Sequence, residues 1–181
     1  MKKLIAVCSI ILGLLMLKMN ELQKQEIPNR IVRSEPTEVE NFMQQMAERE
    51  SNNTVHATNK FGMMGKYQFH PSTIKMLGYN ISNKKFLSDS NLQDSIMLAN
   101  MRLNNKELKF IITRYDGKVI KGIKITRAGI LAAAHLAGSV HVTEFFNNTD
   151  DAIGPQDANG TSVRDYLKMF SRYNIKSEHL L

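Results

Sequence analysis

Two carboxylates, Glu48 and Glu50, stand near the end of a stretch in which Val39, Phe42, Met43 and Met46 recur at helical spacing. A helix advances about 100° per residue, so with Val39 at zero these apolar positions all fall within about 60° of it. On the same scale Glu50 lies at about 20° and Glu48 at about 180°. Glu50 therefore stands in the apolar stripe, and Glu48 faces water. A carboxyl stripped of hydration keeps its proton nearer neutrality, which is what a general acid delivering a proton to a leaving group requires. The same residues admit a plainer reading, in which the helix ends at Arg49 and Glu50 turns outward or pairs with a Lys.

Other chemistries find little support. No G-x-x-x-x-G-K-[ST] or G-x-G-x-x-G loop occurs, so nucleotide chemistry has no basis. The single Cys and the five His, with no H-x-x-x-H or H-E-x-x-H pattern, give no metal site, and no cofactor is expected. The 181 residues carry a formal charge of +7, but no basic run exceeds Lys84-Lys85 and no Arg–aromatic stripe appears. A nucleic-acid partner is therefore not expected. A scattered cationic surface suits plain solvation or an anionic wall or lipid surface.

The elements that must position Glu50 read as mostly helical. Thr37-Glu38-Val39-Glu40 has capping-box form at the start of the first helix. A polar, Gly-containing loop runs from Asn52 to Gly65, and Pro71 to Leu77 reads as a short helix ended by Gly78. Leu92, Ile96, Ala99 and Leu103 mark a longer helix. Val119 to Ile125 reads as a small hairpin. Thr126 caps an apolar helix closed at Gly138, Ser139 opens another, and Ser162-Val163-Arg164-Asp165 is a last capping box. The expected architecture is mainly α, a helical domain over 37–181 with a small β-hairpin and a substrate cleft between helices.

Residues 1–20 read as an export signal or a short N-terminal anchor. Lys2 and Lys3 precede an apolar run from Leu4 to Leu17, the arrangement of a secretory signal peptide, and short for a bilayer span. Lys18-Met19-Asn20-Glu21 offers no small-x-small cleavage site, so attachment to the membrane stays open. Met1 to Asn20 hold three of the Lys and no acid, which leaves the remainder at +4. Residues 21–36, polar and with Pro28 and Pro36, read as a linker.

Glu50-Ser51, Ala57, Gly62, Gly65-Lys66-Tyr67-Gln68, Pro71 and Thr73 together resemble the signature of lysozyme-like lytic transglycosylases. In that family an E-S pair is followed by a Gly-containing loop, a G-L-M-Q segment and P-x-T. The G-K-Y-Q form is similar to that of some phage endolysins. Ala133-Ala134-His135-Leu136-Ala137-Gly138 resembles the family's A-A-Y-N-A-G motif, with His135 in place of Tyr and Leu136 in place of Asn. The resemblance spans Val39 to Phe146. It implies a lysozyme-like fold and an exported enzyme of the periplasm or cell envelope. The implied activity is cleavage of the MurNAc-β-1,4-GlcNAc bond of peptidoglycan strands by a single catalytic Glu, here Glu50.

The family mechanism uses that one carboxylate as acid and then as base toward the sugar's C6 hydroxyl, so a second carboxylate is not needed. Asp116 and Asp157, both in turn-like contexts, are the candidates for a partner if the bond is instead hydrolysed. Ser51 is expected to orient Glu50 or the sugar, or simply to end its helix. Gln68 lines the cleft by resemblance, where its amide can both donate and accept. Tyr67 suits sugar stacking or the core, and Met63 and Met64 suit the groove or ordinary packing. His135 either bonds Glu50 in place of the family's Tyr or is a core residue. The alternatives to a transglycosylase are a muramidase and a non-catalytic glycan-binding domain of an envelope assembly.

Overall fold

The first helix begins where its capping residues require. In a computed structural model, which describes residues 35–148, 156 and 160–180, Thr37 accepts the backbone N–H of Glu40, and the Glu40 carboxylate accepts that of Thr37 at 2.7 Å. This reciprocal cap starts α1 (Glu38–Ser51). The helix buries Phe42, Met43, Met46 and Ala47. It stops because Asn52 and Asn53 both adopt left-handed backbone, at φ 51° and 56°, a conformation Asn tolerates better than most residues.

Seven further helices follow among the described residues: α2 (Pro71–Met76), α3 (Asn83–Leu87), α4 (Ser90–Glu107), α5 (Lys109–Tyr115), α6 (Arg127–Ala137), α7 (Ser139–Asn147) and α8 (Val163–Met169). A two-stranded antiparallel hairpin, β1 (Val119–Ile120) with β2 (Ile123–Lys124), pairs Val119 with Lys124 and Ile120 with Ile123. A 3-10 turn covers Ser177–Leu180. The expected helices, hairpin and caps at Thr37, Thr126 and Ser162 are all present. The small helices α3 and α5 and the 3-10 turn were not foreseen. The loop after α1 also contains isolated bridges, Thr58 to Met64 and Met64 to Phe69. The proposed signal or anchor (1–20), most of the linker (21–36) and Asp157 lie outside the described residues.

The chain from Pro36 onward forms one compact unit around α6. Ala128, Ile130, Leu131, Ala132, Ala133 and Ala134 are all buried there, and α6 packs against α8, α4 and α7. Small residues on α6 let its neighbours come close. A Cβ on Gly129 would sit 2.6 Å from the Leu167 carbonyl oxygen of α8.

The C-terminal stretch closes over α1. Phe42 meets Phe170 edge-on with centroids 5.2 Å apart, and Tyr173 at 5.9 Å. Polar contacts follow the same seam: Arg172 donates to Gln45 at 2.6 Å, Arg49 to Thr161, and the Asn174 backbone N–H to Glu38 at 3.0 Å.

Candidate active site

Glu50 sits in the last turn of α1, half-buried, while Glu48 is exposed. The helix continues through Ser51, so Glu50 keeps its place on the inner face. The Tyr166 hydroxyl on α8 donates to Glu50 Oε1 at 2.6 Å. Tyr166 is itself buried and tilted against Phe170, with centroids 5.7 Å apart. A hydrogen bond from so rigid an aromatic fixes the carboxyl's rotation. Tyr166 was not among the residues singled out from the sequence, and the structure makes it the nearest polar neighbour of the candidate acid for which a bond is described.

Ser51 fastens the loop that follows. Its Oγ donates to the Lys66 carbonyl at 2.9 Å and accepts the Thr54 backbone N–H at 3.0 Å. It does not line the groove described below; it is the last residue of α1, as the plainer of the two expectations has it, and it also ties the helix to the loop.

The Gly65-Lys66-Tyr67-Gln68 turn is held from below by the start of α4. Gln93 accepts the Lys66 backbone N–H at 2.8 Å and donates to the Val55 and Phe86 carbonyls, each at 2.9 Å. The buried Lys66 ammonium reaches Ser90 at 2.9 Å and Asp94 at 2.8 Å. Gly65 has φ 73°, and a Cβ there would lie 2.5 Å from Gln93 Oε1, so both conformation and space call for glycine.

Tyr67 and Met64 lie in the core, 1% and 3% exposed, and neither borders the groove. The Tyr67 hydroxyl is committed to Asp94. Burial, reinforced by that carboxylate, pushes its phenol well above the ordinary range. Tyr67 thus supports the turn from inside and offers no face for a sugar. Met64 is held by backbone pairing to Thr58 and Phe69, and Met63 is the methionine of the pair that reaches the groove.

A groove of about 790 Å³ opens beside Glu50, bordered by Gln68 and His135 among others. Gln68, at φ 51°, donates its amide N–H to the Gly65 carbonyl at 2.9 Å, which leaves its amide oxygen for a ligand. His135 does not bond Glu50. Its Nε2–H donates to the Tyr67 carbonyl at 2.9 Å, and Nδ1 accepts from Asn100 at 3.2 Å. The ring stands edge-on to Phe69, with centroids 5.0 Å apart. His135 therefore braces the turn while bordering the groove.

Helix α4 supplies the wall that the sequence reading missed. Asn100, Leu103, Asn104 and Glu107 follow one helical face and border the groove. Ser139 donates to Glu107 Oε2 at 2.6 Å. Asp116 does not border the groove. It caps the turn before α6 by accepting the Arg127 backbone N–H at 2.9 Å. Among the described residues bordering the groove there is no Lys or Arg, and no cluster of His, Cys, Asp and Glu suited to a metal occurs among the described residues.

Two outcomes follow from these contacts. Tyr166→Phe keeps the ring packing and deletes the hydroxyl on Glu50; if Glu50 is the acid that the sequence leads one to expect, turnover on purified cell walls should fall about tenfold or more, with the unfolding temperature little changed. His135→Phe leaves the Tyr67 carbonyl without its donor and should cost about 1–3 kcal/mol in denaturant unfolding, while the shape of the activity–pH profile stays as in the parent. A shifted pH profile at unchanged stability would instead mean that His135 acts on Glu50.

No family model, curated protein or solved structure matches the chain.

Proposed function

We propose that the chain is an exported peptidoglycan lytic transglycosylase that cuts the MurNAc-β-1,4-GlcNAc bond with Glu50 as its acid and base. The observation that carries this reading is the Glu50 carboxyl at the end of α1, oriented by Tyr166 and open to a long groove. The groove's chemistry suits a glycan. Side-chain amides from Gln68, Asn100 and Asn104 can pair with hydroxyl and acetamido groups. Phe61, Met76 and Val140, each more than half exposed, border it as apolar surfaces for sugar faces. No Lys or Arg stands among its described lining, and its acidic members are Glu50 and Glu107. Export and attachment at the envelope rest on the Lys2-Lys3 head and the apolar run from Leu4 to Leu17.

In this mechanism Glu50 gives its proton to the glycosidic oxygen as the C1–O bond breaks and the MurNAc ring becomes oxocarbenium-like. The leaving strand departs with a new 4-hydroxyl. The Glu50 carboxylate then takes the proton of the C6 hydroxyl as O6 bonds to C1, which closes a 1,6-anhydro ring and restores the acid. Tyr166 holds the carboxyl in one orientation through both transfers.

A muramidase is the second reading, favoured by the presence of a second carboxylate, Glu107, on the same groove. Mass spectrometry of muropeptides released from purified sacculi separates the two. The transglycosylase leaves 1,6-anhydro-MurNAc ends, lighter by one water than hydrolysed ends, and a metal chelator does not stop it. Reducing MurNAc ends would establish hydrolysis and make Glu107 the first candidate for the added carboxylate. Binding to sacculi without fragments would leave only a glycan-binding domain.

A further inference from the structure

Asn104 is 5% exposed and lines the groove, yet no hydrogen bond from its side chain to a described residue exists. The other buried polar side chains, Lys66, Gln93, Asn100, Thr161 and Ser162, all have partners. Every fully enclosed side-chain nitrogen and oxygen among the described residues is satisfied, so the Asn104 amide meets the groove through its small exposed fraction. A ligand seated in the groove seals this amide from water, which costs about 1–3 kcal/mol unless the ligand pairs with it. A ligand carrying a donor and an acceptor side by side meets that requirement.

We propose that Asn104, with Glu107 one turn further along α4, forms a subsite that reads the 2-acetamido group of an N-acetylhexosamine. This deepens the glycan-cleaving reading and rests on it for the class of ligand. The Asn104 carbonyl accepts the acetamido N–H, and its NH₂ donates to the acetamido oxygen. Glu107, turned by the Ser139 hydroxyl at 2.6 Å on one oxygen, presents its other oxygen to a neighbouring sugar hydroxyl. Asn100 cannot take the acetamido role as fully, because its NH₂ already donates to His135 at 3.2 Å. A site built to pair an N–H discriminates strongly against an analogue that lacks it, since the protein group is then left buried and unpaired.

The test uses the full chain carrying Glu50→Gln, so that bound sugar is not cut. Chitotetraose and cellotetraose, which differ in their acetamido groups, are titrated against it by calorimetry. Chitotetraose should bind about tenfold more tightly or better, the size of one lost buried hydrogen-bonding group. Asn104→Leu should bring chitotetraose down to the cellotetraose level. Asn104→Asp, close in size, keeps the acceptor and loses the donor, so it should lose most of the preference, with thermal unfolding of the same preparation showing that it is folded. Glu107→Gln should weaken both sugars by a smaller and similar factor. Equal affinity for the two sugars in the Asn104 protein, or an undiminished preference in Asn104→Asp, overturns the subsite.

The two readings fail separately. Anhydro products from sacculi with no acetamido preference would overturn the subsite and keep the catalytic reading. An Asn104-dependent preference with no wall cleavage would support the subsite and overturn catalysis.

Discussion

Glu50→Gln should lower the rate of sacculus digestion by about 10²–10⁴-fold, the usual contribution of a positioned acid–base group, while chitotetraose binding and the unfolding temperature stay near those of the parent. Gln keeps the size of the side chain and still accepts from the Tyr166 hydroxyl, now 2.6 Å from Oε1, but it has no proton to give. Glu48→Gln is the internal control. Glu48 is exposed and its contact is the Gln44 amide one turn earlier, at 2.8 Å. Its replacement should change stability by less than about 0.5 kcal/mol and leave the rate unchanged. Both digestion and unfolding are measured on the same preparations. Comparable losses from both substitutions would sink the assignment of the acid to the inner face of α1.

Gly129→Ala should destabilise the fold and slow the reaction together. Alanine normally favours a helix over glycine by about 1 kcal/mol. Here its Cβ would sit 2.6 Å from the Leu167 carbonyl oxygen and 3.3 Å from the Leu167 Cα. The obstacle is backbone, so α8 must move away from α6. Overpacking of this kind costs about 1–3 kcal/mol, and the displacement falls on the neighbour of Tyr166. A shift of about 1 Å in a positioning group can cost about 10²-fold in rate. Thermal unfolding and digestion per folded molecule check the two effects. A more stable variant with full activity would show that the helices have room to spare.

Much of the fold was legible because its signals are local. Thr37 with Glu40, Thr126 with Gly129, and Ser162 with Asp165 mark helix starts through groups within a few residues of one another. The placement of Glu50 followed from helical period alone, since Phe42, Met43 and Met46 define the buried face. The short helix α3 was not legible, for it is fixed by one buried anchor, Phe86, and too short for a period. The break between α4 and α5 at Leu108 falls inside a stretch with no Gly or Pro to announce it.

The candidate site was legible only on one side. Tyr166 reaches Glu50 across 116 positions of sequence, and no spacing rule connects them. The apolar positions that mark α4 in the sequence are Leu92, Ile96, Ala99 and Leu103, which say nothing of Asn100 and Asn104; the buried face runs through Ile96, Met97, Asn100, Met101 and Asn104. A buried asparagine leaves no mark in an apolar pattern. Tyr67 and Met64 admitted either placement, and the structure puts both in the core; an aromatic or thioether side chain has the same composition whether it faces a ligand or the core.

The seam between α1 and the C-terminal stretch bears on when in its life the protein becomes competent. Contacts of long sequence separation form late, after the loop-closure cost has been met, and a chain leaves the ribosome N-terminus first. The acid is synthesised more than a hundred residues before Thr161, Tyr166, Arg172 and Asn174, which clamp its helix. A growing or C-terminally clipped polypeptide therefore carries Glu50 on an unclamped helix with no hydroxyl to aim it. The proposed competence toward a glycan thus arrives in one step, when residues 161–174 dock on α1, rather than accumulating along the way.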